Sequence, residues 1–141
     1  MTLDQTVRSL RSLRRLAALA VLILSLAIAM PITAQTNSLS GAVSRVTDGD
    51  TFRIAGLKPA IRVWGLDAPE KKQRGGSAAT QAMRGLISGK TLTCRIRDVD
   101  RYGRIVGQCF LPDGRDIAAE MIRMGVAREY CRYSGGYYRT C

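Results

Sequence analysis

Ala42-Val43-Ser44-Arg45-Val46-Thr47-Asp48-Gly49-Asp50-Thr51-Phe52-Arg53-Ile54 decides how this chain folds. Ala42 to Val46 alternates apolar and polar residues, the period of a half-buried strand, and Thr51 to Ile54 reads as a second strand rich in β-branched and aromatic side chains. Between them, Thr47-Asp48-Gly49-Asp50 is turn chemistry, because short acidic side chains bond their own backbone and glycine reaches conformations closed to other residues. The stretch is a strand-turn-strand unit whose turn carries two carboxylates. Upstream, Leu39-Ser40-Gly41 leads into the first strand. Downstream, Gly56 to Pro59 turns the chain again, and Ala60 to Leu66 alternates as a third strand that Pro69 ends.

Beyond Pro69 the pattern becomes mixed. Ser77 is placed to cap a helix running through about Ile87, with Ala78, Ala82, Leu86 and neighbours on one face and Ser88-Gly89 as its stop. Thr91 to Arg97 and Arg104 to Phe110 form a hairpin around Asp100-Arg101-Tyr102-Gly103; pairing 98 with 105 and 96 with 107 sets Cys94 opposite Cys109. Asp113-Gly114 then turns into a second helix from about Asp116 to Met124, with Ile117, Met121 and Met124 at helical spacing and Gly125 at its end. Three strands, a helix, two strands and a helix predict a small α+β domain, a five-stranded barrel of the oligonucleotide-binding (OB-fold) type with helices packed on it.

The first 34 residues stand apart from this pattern. Arg8, Arg11, Arg14 and Arg15 precede an apolar run from Leu16 to Met30, and Ile32-Thr33-Ala34 offers a small-residue cleavage site before Gln35, so residues 1–34 read as a signal peptide for export to the periplasm or beyond. The run is short for a membrane span, which needs about 20 apolar residues, so an uncleaved anchor or a buried core helix is the weaker reading. With no cysteine directly after the run, a lipid anchor is not expected.

Gln35 to Cys141 is the length of one small domain, residues 35–141, able to bury one modest core. Four of the 22 Lys and Arg and one of the 11 Asp and Glu precede it, which leaves a net charge of +8 on the domain. Such an excess favours a polyanionic partner. The four cysteines, all in this part, fit an oxidising compartment and two disulfides, for which three pairings exist. The hairpin favours Cys94 with Cys109, and Cys131 with Cys141 would then close the C-terminal segment across Gly135-Gly136; a zinc site would need closer spacing.

The chain has no histidine. That excludes Ser/His and Cys/His nucleophile pairs, His-x-Glu zinc sites and a histidine base. Chemistry must run on carboxylates, guanidinium groups and a hard metal ion. Asp48, Asp50, Asp67 and Glu70 stand with Arg62 and Arg104, in Asp48-Gly49-Asp50-Thr51, Arg62-Val63-Trp64-Gly65-Leu66-Asp67-Ala68-Pro69-Glu70 and Tyr102-Gly103-Arg104. Carboxylates bind Ca²⁺ or Mg²⁺ and arginines grip phosphate oxygens two at a time, a combination that points to phosphodiester chemistry. Singly, each motif has a plain structural reading as a solvated turn, a strand end or a surface ion pair. Together they make an active site the better one.

In these motifs, from about Gly41 to Tyr133, the sequence resembles the staphylococcal nuclease (thermonuclease) family. The resemblance implies a Ca²⁺-dependent hydrolase of DNA and RNA. It assigns metal ligation to the Asp50 and Asp67 carboxylates and the Ala68 carbonyl, with Asp48 and Thr51 near the ion. It assigns Glu70 to the attacking water, and Arg62 and Arg104 to the scissile phosphate. It also places Arg101 and Tyr102 near a terminal phosphate, and offers Tyr130 or Tyr133 as a base or phosphate contact, although tyrosines there can equally cover the barrel. Trp64 is expected to be core-facing or flanking structure. Lys71, Lys72 and Arg74 are expected in a basic loop that attracts substrate, or simply at the surface. Well-known members continue into a third long helix, for which a Cys131–Cys141 staple is the expected substitute here. A monomer without a stable protein partner is expected. Two other readings stay open: a catalytically silent nucleic-acid-binding barrel, and a nuclease-like protein serving exopolysaccharide synthesis or the cell envelope.

Overall fold

A computed structural model describes residues 37–141; the leader read in residues 1–34 lies outside the described residues. Seven strands form among the described residues, five in a barrel and two in a small accessory ribbon. The barrel strands are β1 (Ser38–Val46), β2 (Thr51–Ile54), β3 (Ile61–Val63), β5 (Thr91–Val99) and β6 (Ile105–Phe110), closed in the order β1-β2-β3-β6-β5. All neighbours are antiparallel except β3 and β6, which run parallel. A second ribbon pairs β4 (Leu66–Asp67) with β7 (Arg128–Glu129). Helices α1 (Gly76–Ile87), α2 (Ile117–Arg123) and the single turn α3 (Cys131–Ser134) complete the fold. This is the OB-fold barrel that the strand pattern predicts.

The core lies inside the barrel and under α1 and α2. Phe52, Ile61, Val63 and Leu92 point inward from their strands, and Met83, Ile87, Ile117 and Met121 meet them from the helices. Period-2 alternation explains the strands: Phe52 and Ile54 are buried while Arg53 between them is exposed. Asp116 caps α2, its carboxylate accepting from the N–H groups of Ala118 (2.8 Å) and Ala119 (3.3 Å). Both disulfides form, Cys94 with Cys109 and Cys131 with Cys141.

Four local expectations are corrected. The third strand does not run unbroken from Ala60 to Leu66: Gly65, at φ 70°, turns the chain after Trp64, so that Leu66–Asp67 leaves the barrel to pair with β7. Ser77 does not cap α1. The N-cap is Gly75, in the left-handed region with no side-chain cap, and the helix begins at Gly76. Its core face is Ala79, Met83 and Ile87, one residue round from the Ala78, Ala82 and Leu86 row, because the bulkier Met and Ile take the interior. In the hairpin, Ile96 faces Gly107 and Cys94 faces Cys109 as predicted, but a bulge between Ile96 and Asp98 sets Asp98 opposite Val106 and Val99 opposite Ile105.

Candidate active site

The strand-turn-strand unit builds the centre of the site. In its turn, Asp48 Oδ1 accepts from the Asp50 N–H (3.1 Å), a bond that fixes the loop by its own side chain. Gly49 is buried beneath it; a Cβ there would stand 2.7 Å from the Cβ atoms of both Ala68 and Ala79. The glycine thus lets the first acidic loop touch the second, and Asp50 Oδ2 accepts from the Ala68 N–H at 3.2 Å.

Asp50 is buried, and its other oxygen accepts from Thr51 Oγ1 (3.0 Å) and forms an ion pair with Arg62. Burial raises the Asp50 pKa above its ordinary value, against the opposing charge and hydrogen bond of Arg62 and the Ala68 N–H. Arg62 also donates to the Leu66 carbonyl (3.1 Å), which aims its guanidinium across the β3–β4 turn. Asp50, Arg62, Thr51, Asp48 and Ala68 are therefore brought together.

Arg104 reaches the same face through the barrel's register. Arg62 pairs with Val106 in the parallel β3–β6 ladder, and Ile105 N–H donates to Ala60 O (2.9 Å), so Arg62 and Arg104 occupy alternate positions on one outer face. Arg104 Nε donates to Asp100 Oδ2 (2.7 Å), and Asp100 Oδ1 accepts from the backbone N–H groups of Arg104 (3.0 Å) and Tyr102 (2.9 Å). Burial pushes the Asp100 pKa up, but these donors outweigh it and hold the carboxyl below its ordinary value. Arg104 thus stays tethered to a carboxylate that remains ionised. The Arg101 and Arg104 guanidiniums both lie over the Tyr102 ring, at 4.8 and 5.3 Å from its centroid, while the ring itself remains exposed.

Asp67 and Glu70 sit differently. Asp67, on β4, pairs with Arg128 Nε at 2.8 Å, a partner 61 residues away that the β4–β7 ribbon delivers. Glu70 lies exposed on the loop before α1, its backbone clamped by Gln73: the Glu70 N–H donates to Gln73 Oε1 (3.0 Å) and the Gln73 N–H donates back to Glu70 O (2.8 Å). Lys71, Lys72 and Arg74 are exposed on the same loop. Tyr130 and Tyr133 stack edge to face at 4.7 Å in the C-terminal segment, and both are exposed. Trp64 is flanking structure, with Arg97 over its ring at 4.9 Å and Tyr137 at 5.4 Å.

Arg128, Gln73, Asp100 and Gly49 are the residues that sequence reasoning missed. Gly49 and Asp100 carried a local signal, their places in the two turns, and Arg128 and Gln73 carried none.

The donor set of Asp50, Asp67 and the Ala68 carbonyl is all oxygen and suits a hard divalent cation. Among the described residues no three acids converge, and an arginine balances each of these two carboxylates. The donors fit such an ion chemically.

The class this defines is a closed five-stranded OB barrel with two guanidiniums and a buried carboxylate on one outer face. Residues 60–140 match the family model described as Staphylococcal nuclease homologue. The chain belongs to the staphylococcal nuclease family. It is 43% identical over 98 residues to an uncharacterized endonuclease of Escherichia coli, covering 68% of this chain and 64% of that protein. It is 36% identical over 105 residues to a micrococcal nuclease of Shigella flexneri (67% and 60%), and 34% identical over 106 residues to the succinoglycan biosynthesis protein ExoI of Rhizobium meliloti (67% and 54%). The chain thus spans somewhat less than two thirds of the length of these relatives.

Proposed function

We propose that this protein is an exported, Ca²⁺-dependent nuclease that hydrolyses phosphodiester bonds in DNA and RNA, acting as a monomer. One observation carries the reading: Arg62 and Arg104 share the outer face of the β3–β6 ladder, with Asp50 bound to the first of them. Attack on a phosphodiester builds negative charge on the phosphoryl oxygens, and two guanidiniums on one face meet that charge where it develops. Asp50, Asp67 and the Ala68 carbonyl would hold the ion, with Asp48 and Thr51 beside it. Bound there, Ca²⁺ would supply further stabilisation of the developing charge. Glu70, free of any ion pair among the described residues and held by Gln73, would orient the attacking water or take its proton. The leader in residues 1–34 and the two disulfides support export to an oxidising compartment.

The test is digestion of plasmid DNA and of RNA with Ca²⁺ or with EDTA, beside Glu70→Ser and Arg104→Gly. Cleavage with Ca²⁺ that EDTA and either substitution abolish is the expected result. Cleavage that persists in EDTA, or survives both substitutions, overturns the mechanism. Absence of cleavage under every condition turns the choice to a silent binding barrel or to the envelope role that the relative named for succinoglycan biosynthesis suggests.

A further inference from the structure

Strand register extends the basic face beyond the two arginines of the site. Thr51 on β2 pairs with Arg62 on β3, so Arg53, two residues along β2, projects from that same outer face. Directly opposite Arg53 on β1 is Arg45. Like charges facing each other across an antiparallel pair destabilise a sheet, and among the described residues neither guanidinium has an acidic partner. Both side chains are exposed. Arg53 is not loose, since its Nη1 donates to the Lys58 carbonyl at 2.9 Å across the β2–β3 turn, and Lys58 lines the same cleft.

An open cleft of about 430 Å³ is lined by Arg53, Lys58 and Pro59 together with Asp48, Tyr102 and Arg104. Arg45, outside that lining, faces Arg53 across the β1–β2 pair. Asp48 is the one acid in its lining, and its Oδ1 is engaged by the Asp50 N–H. An exposed arginine pair without acidic partners, beside a cation-lined cleft, favours an anionic ligand. The ligand must be extended and multiply charged, because the cations follow one another from β6 across β3 and β2 to β1.

We infer that Arg45, Arg53 and Lys58 form a backbone-binding track for the nucleic-acid strand flanking the scissile phosphate, with Arg104 and Tyr102 at its inner end. This rests on the nuclease reading for the identity of the polymer, and it adds to that reading a subsite that makes the protein favour long strands over short ones. The contacts are to phosphates, so they carry length preference and salt dependence and no base preference.

The test separates the track from the chemistry by measuring binding in EDTA. Anisotropy of a labelled single-stranded DNA of about 12 nucleotides, and of a labelled trinucleotide, is followed from about 50 to 200 mM salt, the range over which phosphate contacts dominate affinity. Each phosphate contact on a single strand contributes about 0.7 to the slope of log K against log salt, so Arg45→Ala/Arg53→Ala should lower the long strand's slope by about 1.4. Adding Lys58→Ala should lower it by about 0.7 more. A charge-matched control, Arg84→Ala/Arg123→Ala, removes two exposed arginines away from the cleft and should leave most of that slope. Arg45→Lys/Arg53→Lys keeps the charges and should retain binding, which guards against a folding defect. A slope lowered equally by the control pair, or an equal loss for the trinucleotide, overturns the track. So does displacement of the DNA by polygalacturonate as effective, charge for charge, as by unlabelled DNA. If the track mutations behave as expected while no hydrolysis occurs with Ca²⁺, the track stands and the nuclease reading falls; hydrolysis with an unaltered slope gives the reverse.

Discussion

Asp50 shows how a single side chain carries both the fold and the site. It is buried, it binds the Ala68 N–H of the second acidic loop, and it pairs with Arg62. A buried carboxylate tolerates ionisation only with its partners in place, and removing one partner of such a pair costs far more than the pair contributes. Arg62→Gln should therefore lower the unfolding free energy measured by urea in EDTA by on the order of 3 kcal/mol, with the Asp50 proton uptake that follows from its already raised pKa. Ca²⁺ should narrow the gap between variant and wild type if Asp50 is a ligand, because an ion bound only to the folded state stabilises it by mass action. An unchanged urea midpoint in EDTA would show that the pair is not structural. The proximity of these residues was legible from sequence, since Asp48 and Asp50 lie in the turn between β1 and β2 and Arg62 on the adjoining β3. The partner of Asp67 was not legible. Arg128 reaches it only because two strands of two residues each pair across 61 positions, and so short a ribbon leaves no periodic trace.

At the scale of elements, the position of Glu70 is set by the start of helix α1 as well as by the Gln73 clamp. Gly76, the helix's first residue, abuts the loop so closely that a Cβ would lie 1.9 Å from Glu70 O and 2.6 Å from its carbonyl carbon. Those are backbone atoms, so the loop itself must move to admit a methyl group. Gly76→Ala should leave far-UV circular dichroism and the Arg62–Asp50 centre intact and shift Glu70; misplacement by about 1 Å at a reacting group costs about 10²-fold in rate. A fall in kcat with little change in KM on a DNA substrate is the expected signature, and full activity would show that Glu70 needs no fixed position. The same scale explains the fold's partial legibility. Alternation and turn residues gave away β1, β2 and the β5–β6 hairpin, including Cys94 opposite Cys109. The bulge after Ile96 and the break at Gly65 were hidden, because each answers to packing elsewhere: a Cβ on Gly65 would meet the Tyr138 ring at 2.9 Å, a contact supplied by a segment 73 residues on. Helix α1 was legible as a helix and misread in its facing, since apolar residues occupy two adjacent rows and only volume decides which row enters the core.

Over the whole domain, the C-terminal segment is held by one helical turn, a disulfide and a buried acid. Tyr137 and Tyr138 pack on Trp64 at 5.4 and 6.0 Å, and the Tyr138 hydroxyl donates to Asp116 Oδ2 (3.1 Å), joining the tail to the cap of α2. The Cys131–Cys141 bridge closes a loop with a sequence separation of 10, so Cys131→Ser/Cys141→Ser should destabilise by about 2–3 kcal/mol in chemical denaturation. Inside that loop's reach, Glu129 is buried and accepts four hydrogen bonds, from Ser134 Oγ, the Tyr138 N–H, and the N–H and hydroxyl of Thr140. Burial alone would raise its pKa, but the donors prevail and lower it from 4.5 to about 2. A carboxylate whose folded pKa lies below its unfolded one contributes stability that is complete above the unfolded value and disappears as pH falls through the folded value. The tail's anchor is thus at full strength at neutral pH and weakens from about pH 4.5 down to about pH 2. Glu129→Gln cannot present two carboxylate oxygens to four donors, so its melting temperature should lie well below wild type at pH 7 and approach it as the pH falls toward 2. Parallel melting curves for the two proteins across that range would show that Glu129 is not the group that ties the tail to the barrel.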